Sequence, residues 1–464
     1  MAIITEIFVK NLFGYLDYHI PLNTTDNITI IHGPNGSGKT WLLKLINAAF
    51  TSDFATLRQA PFEEIAFKFR DGGNFIIRRI VEERTPSFQL QLPFRPRPLF
   101  GKLYFEYQSK RTKKVKHCSL PITERERPLP YSISLIERFI PNLIRIGPRE
   151  WRDNVRDEIL DFDEVIALYG QRLPSVSNIN SVPLWLNSIT RRVEVYFIQS
   201  QRLIRMPAAQ ERQRLSSRRD ITQKDITQMV ELDSINLAQR ISELLKQSVK
   251  IGESKDRTFP TRLLQSDFSS AISESQLREE FNNIDTKRRK LYAAGLLDEE
   301  ESVPLPSKSM TEMEQKVLTL YVRDVADKLK FFDDLENRIA ILMNLINSKM
   351  RTQGKTLFID RDRGFLFKTH YGDKSVLNPA DLSSGEQHEL VLFYELIFKP
   401  TGRSLFLIDE PEISLNVGWQ RRFLNDLGEA IRLGKHSVIL ATHSPQIIHN
   451  RWDLAVSLKG GIKE

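Results

Sequence analysis

Two short segments of this chain carry residues whose type and order suit phosphate chemistry. Gly33-Pro34-Asn35-Gly36-Ser37-Gly38-Lys39-Thr40 follows the order G-x-x-x-x-G-K-[ST], after the β-branched run Asn27–His32 and before the helix-spaced Trp41–Phe50. Glycines let successive backbone N–H groups turn inward around an anion, and the start of a helix adds its positive end. Lys39 is suited to neutralise β- and γ-phosphate charge, and the Thr40 hydroxyl is a hard oxygen ligand for Mg2+. Much later, the apolar run Ser404–Ile408 ends in Asp409-Glu410. A continuous apolar run is the pattern of a strand buried on both faces. The carboxyl end of such a strand is where α/β sheets place ligands. There Asp409 is expected to hold Mg2+ through water, and Glu410 to orient and polarise an attacking water.

Three further segments fit the same chemistry. Leu382-Ser383-Ser384-Gly385-Glu386-Gln387 precedes the helical run His388–Phe398. Another helix start there offers the Ser383 hydroxyl and the Gly385 N–H to a phosphate. The Ser383/Glu386 spacing is also that of a plain capping box. Thr442-His443-Ser444-Pro445 follows a strand pattern at Ser437–Leu440, and Gln199 and Gln201 follow another at Val193–Ile198.

Together these motifs resemble the ABC ATPase superfamily, whose signature is L-S-G-G-Q. Ser384 and Glu386 depart from that signature. The resulting Ser-Gly-Glu form is common in the branch containing chromosome-maintenance and DNA-repair ATPases, the overcoming-lysogenization-defect group and the related AAA-15 and AAA-21 types. The resemblance implies an α/β fold: an ABC-type P-loop ATPase head, with a mixed sheet, an antiparallel β subdomain and an inserted helical domain. It implies ATP and Mg2+ as cofactors. ATP would be held by Gly33 to Thr40 of one protomer and by Ser383, Ser384, Gly385 and Glu386 of a second, so the heads must pair. Glu410 and His443, the switch histidine, would be catalytic. Thr40, Asp409 and the Q-loop residue, Gln201 in preference to Gln199, would serve the metal. Ser414-Leu415-Asn416 matches the D-loop. Lys10 to Tyr15 resembles the first strand and turn of the branch, its aromatic lying either near adenine or in the core.

The order of the motifs sets the expected organisation: 1–205 and 353–464 as the two parts of the head, with 206–352 as a helical insertion. Ala2–Lys10 and Asn27–His32 read as strands. Phe67–Arg70 and Phe75–Val81 flank the turn Asp71-Gly72-Gly73, and Ser87–Leu92 and Lys102–Tyr107 extend an antiparallel meander. Ser132–Ile189 is expected to be helical with breaks, Arg202–Lys224 a mobile basic loop and Ile226–Met350 helical. Within the last stretch, Asp298–Ser309 is a linker and Met310–Met350 one long helix. Lys355–Lys368 reads as a hairpin turning at Asp360–Gly364, so Asp360 and Asp362 belong to a turn rather than a metal pair. Ala455–Leu458 is a last strand.

Composition narrows the partners. No stretch approaches the roughly 18 apolar residues of a membrane helix, and the first 22 residues lack a signal-peptide core. Cys118 is the only cysteine, which excludes an internal disulfide framework and fits a reducing cytoplasm. The net charge of +8 favours an acidic partner. Arg95–His117 carries eight Lys/Arg against the single acid Glu106, and Arg202–Lys224 carries seven against two. Each is either a solvated face or a docking surface for a polyanion: DNA, RNA or an acidic, phage-encoded trigger protein. Within the branch, the chain is similar to the stand-alone ATPases of two-gene anti-phage systems. The nearest are the AriA family of PARIS systems, which work with a separate Toprim-type nuclease effector of the AriB family. Septu ATPases paired with an HNH nuclease come next. The 21 residues from Ser444 are too few for a Toprim domain, so any nuclease activity is expected in a partner. A repair ATPase that clamps DNA directly is the alternative of a different class.

Overall fold

In the computed structural model, the described residues are 2–80, 102–110, 114–120, 143–145, 150–153, 158–161, 165, 182–200, 204–205, 227–265, 272–298, 304–370, 375–400, 402–413 and 415–458. The chain forms two units. One comprises Met1–Thr24, Gly33–Val195 and Val456–Glu464, and the other Thr25–His32 and Tyr196–Ala455. The architecture is mixed α/β, with parallel and antiparallel sheets and long helices. Expected segments 81–101, with Ser87–Leu92, and most of Arg202–Lys224 lie outside the described residues.

The first unit is built on an antiparallel sheet ordered β2-β1-β4-β5-β6-β7. Its strands are β1 (Ile4–Leu12), β2 (Leu16–Pro21), β4 (Glu64–Phe69), β5 (Asn74–Ile80), β6 (Lys102–Gln108) and β7 (Val115–Leu120). Alternation decides which face is buried: Ile65, Phe67 and Phe69 of β4 point inward with Phe75 and Ile77 of β5. Asp71 closes the β4–β5 turn by accepting the Gly73 N–H at 2.9 Å. Helices α1 (Lys39–Thr51) and α2 (Phe54–Gln59) belong to this unit. The buried face of α1 carries Phe50, whose ring lies 4.8 Å from that of Phe67.

Ser132–Ile189 departs from the helical expectation. Its described residues form three short antiparallel strands in the order β10-β9-β8, namely β8 (Leu143–Arg145), β9 (Glu150–Asp153) and β10 (Glu158–Asp161). Among them, helix is continuous only in α3 (Leu184–Thr190). Apolar runs of two or three residues fit either period, and cross-strand pairing such as Leu160 with Trp151 decides between them.

The sheet that matters for the site is ordered β11-β17-β18-β3-β19, and its central strands β17, β18 and β3 belong to the second unit. The strands are β3 (Ile28–His32), β11 (Glu194–Ile198), β17 (Ser404–Asp409), β18 (Ser437–Thr442) and β19 (Ala455–Ser457). β17, β18 and β3 run parallel, with Asp409 opposite Ala441 and Thr442 opposite His32. All six residues of β17 are buried, as its unbroken apolar run requires. A two-stranded ribbon joins β12 (Ile204–Arg205) to β13 (Thr227–Gln228).

The helices of this unit are α4 (Met229–Gln265), α5 (Glu274–Ala293), α6 (Glu312–Lys330), α7 (Asp333–Met350), α8 (Ser384–Phe398), α9 (Val417–Arg432) and the single turn α10 (Pro445–Ile448). The expected helix Met310–Met350 is two helices, α6 and α7, interrupted at Phe331-Phe332. Lys328 and Lys330 close α6, and Asp333, Asp334 and Glu336 open α7, each sign matching its helix end. The apolar spacing runs through the break because Leu329, Phe332 and Leu335 all stay buried across it, so periodicity alone conceals it. α8 is buried on almost every side, which accounts for its near-continuous apolar composition.

A three-stranded sheet completes the unit: β14 (Lys355–Asp360), β15 (Gly364–Thr369) and β16 (Val376–Leu377). The hairpin turns where expected. Asp360 accepts the Asp362 and Arg363 N–H groups at 3.0 and 2.9 Å, so its carboxylate is spent on the turn. Ser234 of α4 locks the hairpin down, accepting the Phe365 N–H at 3.0 Å and donating to the Arg363 carbonyl at 2.6 Å.

Candidate functional site

The loop Gly33 to Thr40 follows β3 directly in the chain and opens α1. Gly36 and Gly38 have φ of 85° and 76°, the left-handed region where a side chain strains the backbone. At Gly38 a Cβ would also come within 3.0 Å of Leu12 and 3.2 Å of Phe13. The turn after β1 therefore packs on the start of α1. Phe13 also meets the edge of Trp41, with ring centroids 6.3 Å apart. Pro34, Asn35 and Gly36 are exposed, and Ser37 and Lys39 are buried. The Lys39 ammonium donates to the Gly33 and Pro34 carbonyls at 2.8 and 3.0 Å, which leaves one of its three N–H bonds for an anion. Tyr18 pins the loop by donating to the Ser37 carbonyl at 2.7 Å. Burial, with Tyr15 nearby, pushes the Tyr18 phenol up to about 12, so it stays a donor. The Ser37 hydroxyl is buried without a hydrogen-bond partner. A buried orphan hydroxyl beside inward-turning glycine amides is the condition a phosphate relieves.

A second group of residues sits at the carboxyl ends of β17 and β18. Asp409 ends β17 and is buried. Glu410 follows at φ 45°, its N–H held by the Ala441 carbonyl at 2.9 Å. That conformation is costly for a residue with a side chain, and strain of this kind gathers at functional positions. His443 stands just past β18, with Nδ1 3.6 Å from Glu410 Oε1 and 3.1 Å from Glu412 Oε1. Its side chain is half exposed and that of Glu412 is buried. Glu412 Oε1 also accepts from the Thr442 hydroxyl at 2.7 Å and from the His443 N–H at 3.0 Å. Ser444 donates to Gln420 of α9 at 2.8 Å.

The signature segment forms the N-terminus of α8. Ser383 and Ser384 are exposed and Gly385 is buried. Glu386 Oε2 accepts from both the Ser383 N–H and its hydroxyl, at 2.8 and 2.9 Å, and Lys355 of β14 reaches both oxygens at 2.9 Å. Burial pushes this carboxyl up, but Lys355 and the two Ser383 donors outweigh it and hold it below the usual carboxylate range. The capping box is thus formed, and the Glu386 carboxylate is turned into its own helix start rather than outward. Gln387 is likewise committed, to the Ala380 and Leu382 carbonyls at 2.9 Å each. In the D-loop segment, Asn416 caps α9 by accepting the Trp419 N–H at 3.0 Å, Leu415 is buried, and Ser414 lies outside the described residues.

Gln201 lies outside the described residues, whereas Gln199 is exposed just after β11. Of the basic stretch Arg95–His117, the described lysines are Lys102, Lys110, Lys114 and Lys116. Sequence reasoning missed three residues. They are Tyr18 under the phosphate loop, Lys355 on Glu386, and Glu412 on His443. Only Glu412 had a local signal, a second glutamate two places after Glu410.

The first unit thus carries a glycine-turned loop that opens α1, and the second a buried strand ending in Asp409-Glu410 with a histidine at the next strand end. The chain belongs to the family described as "AAA domain, putative AbiEii toxin, Type IV TA system", which matches residues 171–449. That span covers more than half of the chain and contains Ser383 to Glu386, Asp409, Glu410 and His443; Gly33 to Thr40 precede it. No curated protein sequence matches the chain. Among solved structures, the chain is similar to the Smc head domain of Pyrococcus furiosus, bound there to the C-terminal domain of ScpA. The identity is 13%, over 100% of this chain and 95% of that one, with a TM-score of 0.34. The SMC head of Thermotoga maritima gives 9% identity, 97% and 92% coverage and a TM-score of 0.28. No helix among the described residues is long and apolar enough to cross a membrane.

Proposed function

We propose that the chain binds and hydrolyses ATP with Mg2+, through paired heads, as the sensor and scaffold subunit of a two-component anti-phage system of the PARIS type. In that reading it corresponds to AriA, holds a separate Toprim-type nuclease and releases it on meeting an acidic phage protein. The observation that carries the ATPase part is the Glu410–His443–Glu412 cluster at the strand end after Asp409. The family description, which names a toxin of a toxin–antitoxin system, favours a two-component arrangement. A Septu-type partner nuclease and direct DNA clamping are the alternatives.

The residues divide the work. Lys39 and the amides of Gly33 to Thr40 take the phosphates. Thr40 and Asp409, whose hydroxyl and carboxylate are hard oxygens, would hold Mg2+, and the ion would neutralise phosphate charge. The Glu410 carboxylate orients a water and draws on its proton, while His443 faces the γ-phosphate. Ser383, exposed at the N-terminus of α8, and the Gly385 N–H would act on the nucleotide held by the partner protomer.

Mixing tests this reading. Lys39→Ala and Ser383→Arg proteins should each be inactive alone and should recover part of the ATPase activity together. Full activity in a strictly monomeric preparation would exclude composite sites. In cells carrying a candidate nuclease partner, Lys39→Ala should abolish protection against phage.

A further inference from the structure

We propose that Lys355 is a positioning residue for the signature segment. Its ammonium holds the Glu386 carboxylate that fixes the Ser383 backbone and hydroxyl. It also cancels a negative charge at the start of α8, where a terminal phosphate has to approach. This deepens the ATPase reading and rests on it for the identity of that phosphate, though not for the geometry.

The geometry begins in α7. Asn347 accepts the Leu357 N–H at 2.7 Å and donates to the Leu357 carbonyl at 3.2 Å, both bonds buried. β14 is thereby fastened to the helix before it. Gly354, at φ 71°, makes the turn into the strand, and Lys355 is the first residue of β14. Side chains two apart share one face of a strand, so Lys355 leaves β14 on the side of the wholly buried Leu357. Its Nζ donates to both Glu386 oxygens at 2.9 Å. Glu386 Oε2 in turn accepts the Ser383 N–H and hydroxyl, at 2.8 and 2.9 Å. A carboxylate only accepts, so the Ser383 hydroxyl proton points at Glu386. Strand, lysine, glutamate and serine thus form one continuous chain of hydrogen bonds.

Three observations separate this role from ordinary packing. Lys355 is 23% exposed over a carboxylate that is 3% exposed, so the cation meets solvent while the anion is the fixed partner. Glu386 Oε1 takes no other hydrogen bond among the described residues, so the loss of Lys355 would leave a buried anionic oxygen unmet. Burial acts against the ionised Glu386, and Lys355, ahead of Ser383, outweighs it. The lysine therefore keeps charged the group that orders Ser383, and at the same time brings the pair to zero net charge. A bare carboxylate beside Ser383 would instead oppose a phosphate, because like charges brought together disfavour association.

Mixing of full-length chains tests the role. Lys355→Met should bind a fluorescent ATP analogue at its own phosphate loop with unchanged affinity. Its ATPase activity should fall at least about 10-fold, the scale of an uncancelled like charge at an interface. Mixed with Lys39→Ala, which supplies an intact signature, it should regain part of the activity; mixed with Ser383→Arg it should not. A lysine that merely stabilised the fold would show no such choice of partner. Lys355→Met/Glu386→Gln removes both charges and leaves an acceptor oxygen for Ser383, so it should regain most of the loss. Wild-type turnover by Lys355→Met, no recovery with Lys39→Ala, or recovery with Ser383→Arg overturns the proposal. Should Lys355→Met fail to fold, a folded double variant more than about 10-fold below wild type overturns it equally. A wild type without ATPase activity, or Lys39→Ala and Ser383→Arg proteins that do not complement each other, would remove the paired-head ATPase reading instead. Amide hydrogen exchange from Ser383 to Gly385 then decides the positioning role: faster exchange in Lys355→Met retains it, and unchanged exchange removes it.

Discussion

Lys349 and Glu389 form an ion pair with both side chains almost wholly removed from water, 2% and 1% exposed. Asp426 adds a second carboxylate, its Oδ2 2.7 Å from the same ammonium. The cluster joins α7 to α8, which Ser383 caps, and to α9, which Asn416 caps. Burial pulls the Lys349 ammonium below its ordinary value, against Asp426, which supports the charge. The stem passes the rings of Phe393 and Trp419, with Nζ 4.9 and 6.0 Å from their centroids.

Removing the cation alone should therefore be severe. Lys349→Met leaves Glu389 and Asp426 buried without a countercharge and should destabilise the fold by about 3–5 kcal/mol in urea unfolding. Adding Glu389→Leu and Asp426→Leu should recover most of the loss, because apolar packing often replaces a buried ion cluster without cost. A loss below about 1 kcal/mol in the single variant would show that water enters the cluster.

Asp233, in the first turns of α4, gives a pH dependence of opposite character. Burial above all, then the charge of Glu395, against which Lys399 acts, pushes its carboxyl up to about 7. The folded state then holds a proton that the unfolded state has released, so stability falls as pH rises from about 4 to about 7. At pH 8 the buried carboxylate is charged, and its Oδ2 has no hydrogen-bond partner. Asp233→Asn should raise the melting temperature at pH 8 and flatten its dependence between pH 5 and 8. At about 1.4 kcal/mol per pKa unit, a few kcal/mol are involved. An unchanged pH profile in Asp233→Asn would place the titrating group elsewhere.

Asp409 and Glu410 should fail differently when neutralised. Glu410→Gln should still bind Mg-ATP but hydrolyse it about 100-fold more slowly, the range that loss of a general base produces. Asp409→Asn should instead weaken Mg-dependent nucleotide binding, read by titrating a fluorescent ATP analogue with and without Mg2+. Normal turnover by Glu410→Gln would assign the base to another group, with Glu412 the first to examine.

The sequence by itself determined the parts that depend on neighbours in the chain. The phosphate loop needs its glycines, lysine and threonine in order. β17 needs an unbroken apolar run to be buried on both faces, and the turn at Asp360 needs only its own next three residues. Local spacing failed where two periods or two continuations were equally good. It gave helix for the short strands around Trp151, and it ran α6 and α7 together because Phe332 keeps the apolar stripe in phase across the break. Tertiary structure alone decided which polar residues meet. Lys355 is 31 positions from Glu386, Tyr18 is 19 from Ser37, and Thr442 is 30 from Glu412. No periodicity carries such separations, because a carboxylate's partner is chosen by which strand end or sheet edge reaches it. The Ser383–Glu386 capping box was readable from its spacing, whereas the pairing of Glu386 with Lys355 was not. For the same reason Glu412, an unremarked acid after Pro411, becomes the acceptor of the Thr442 hydroxyl and the His443 backbone N–H.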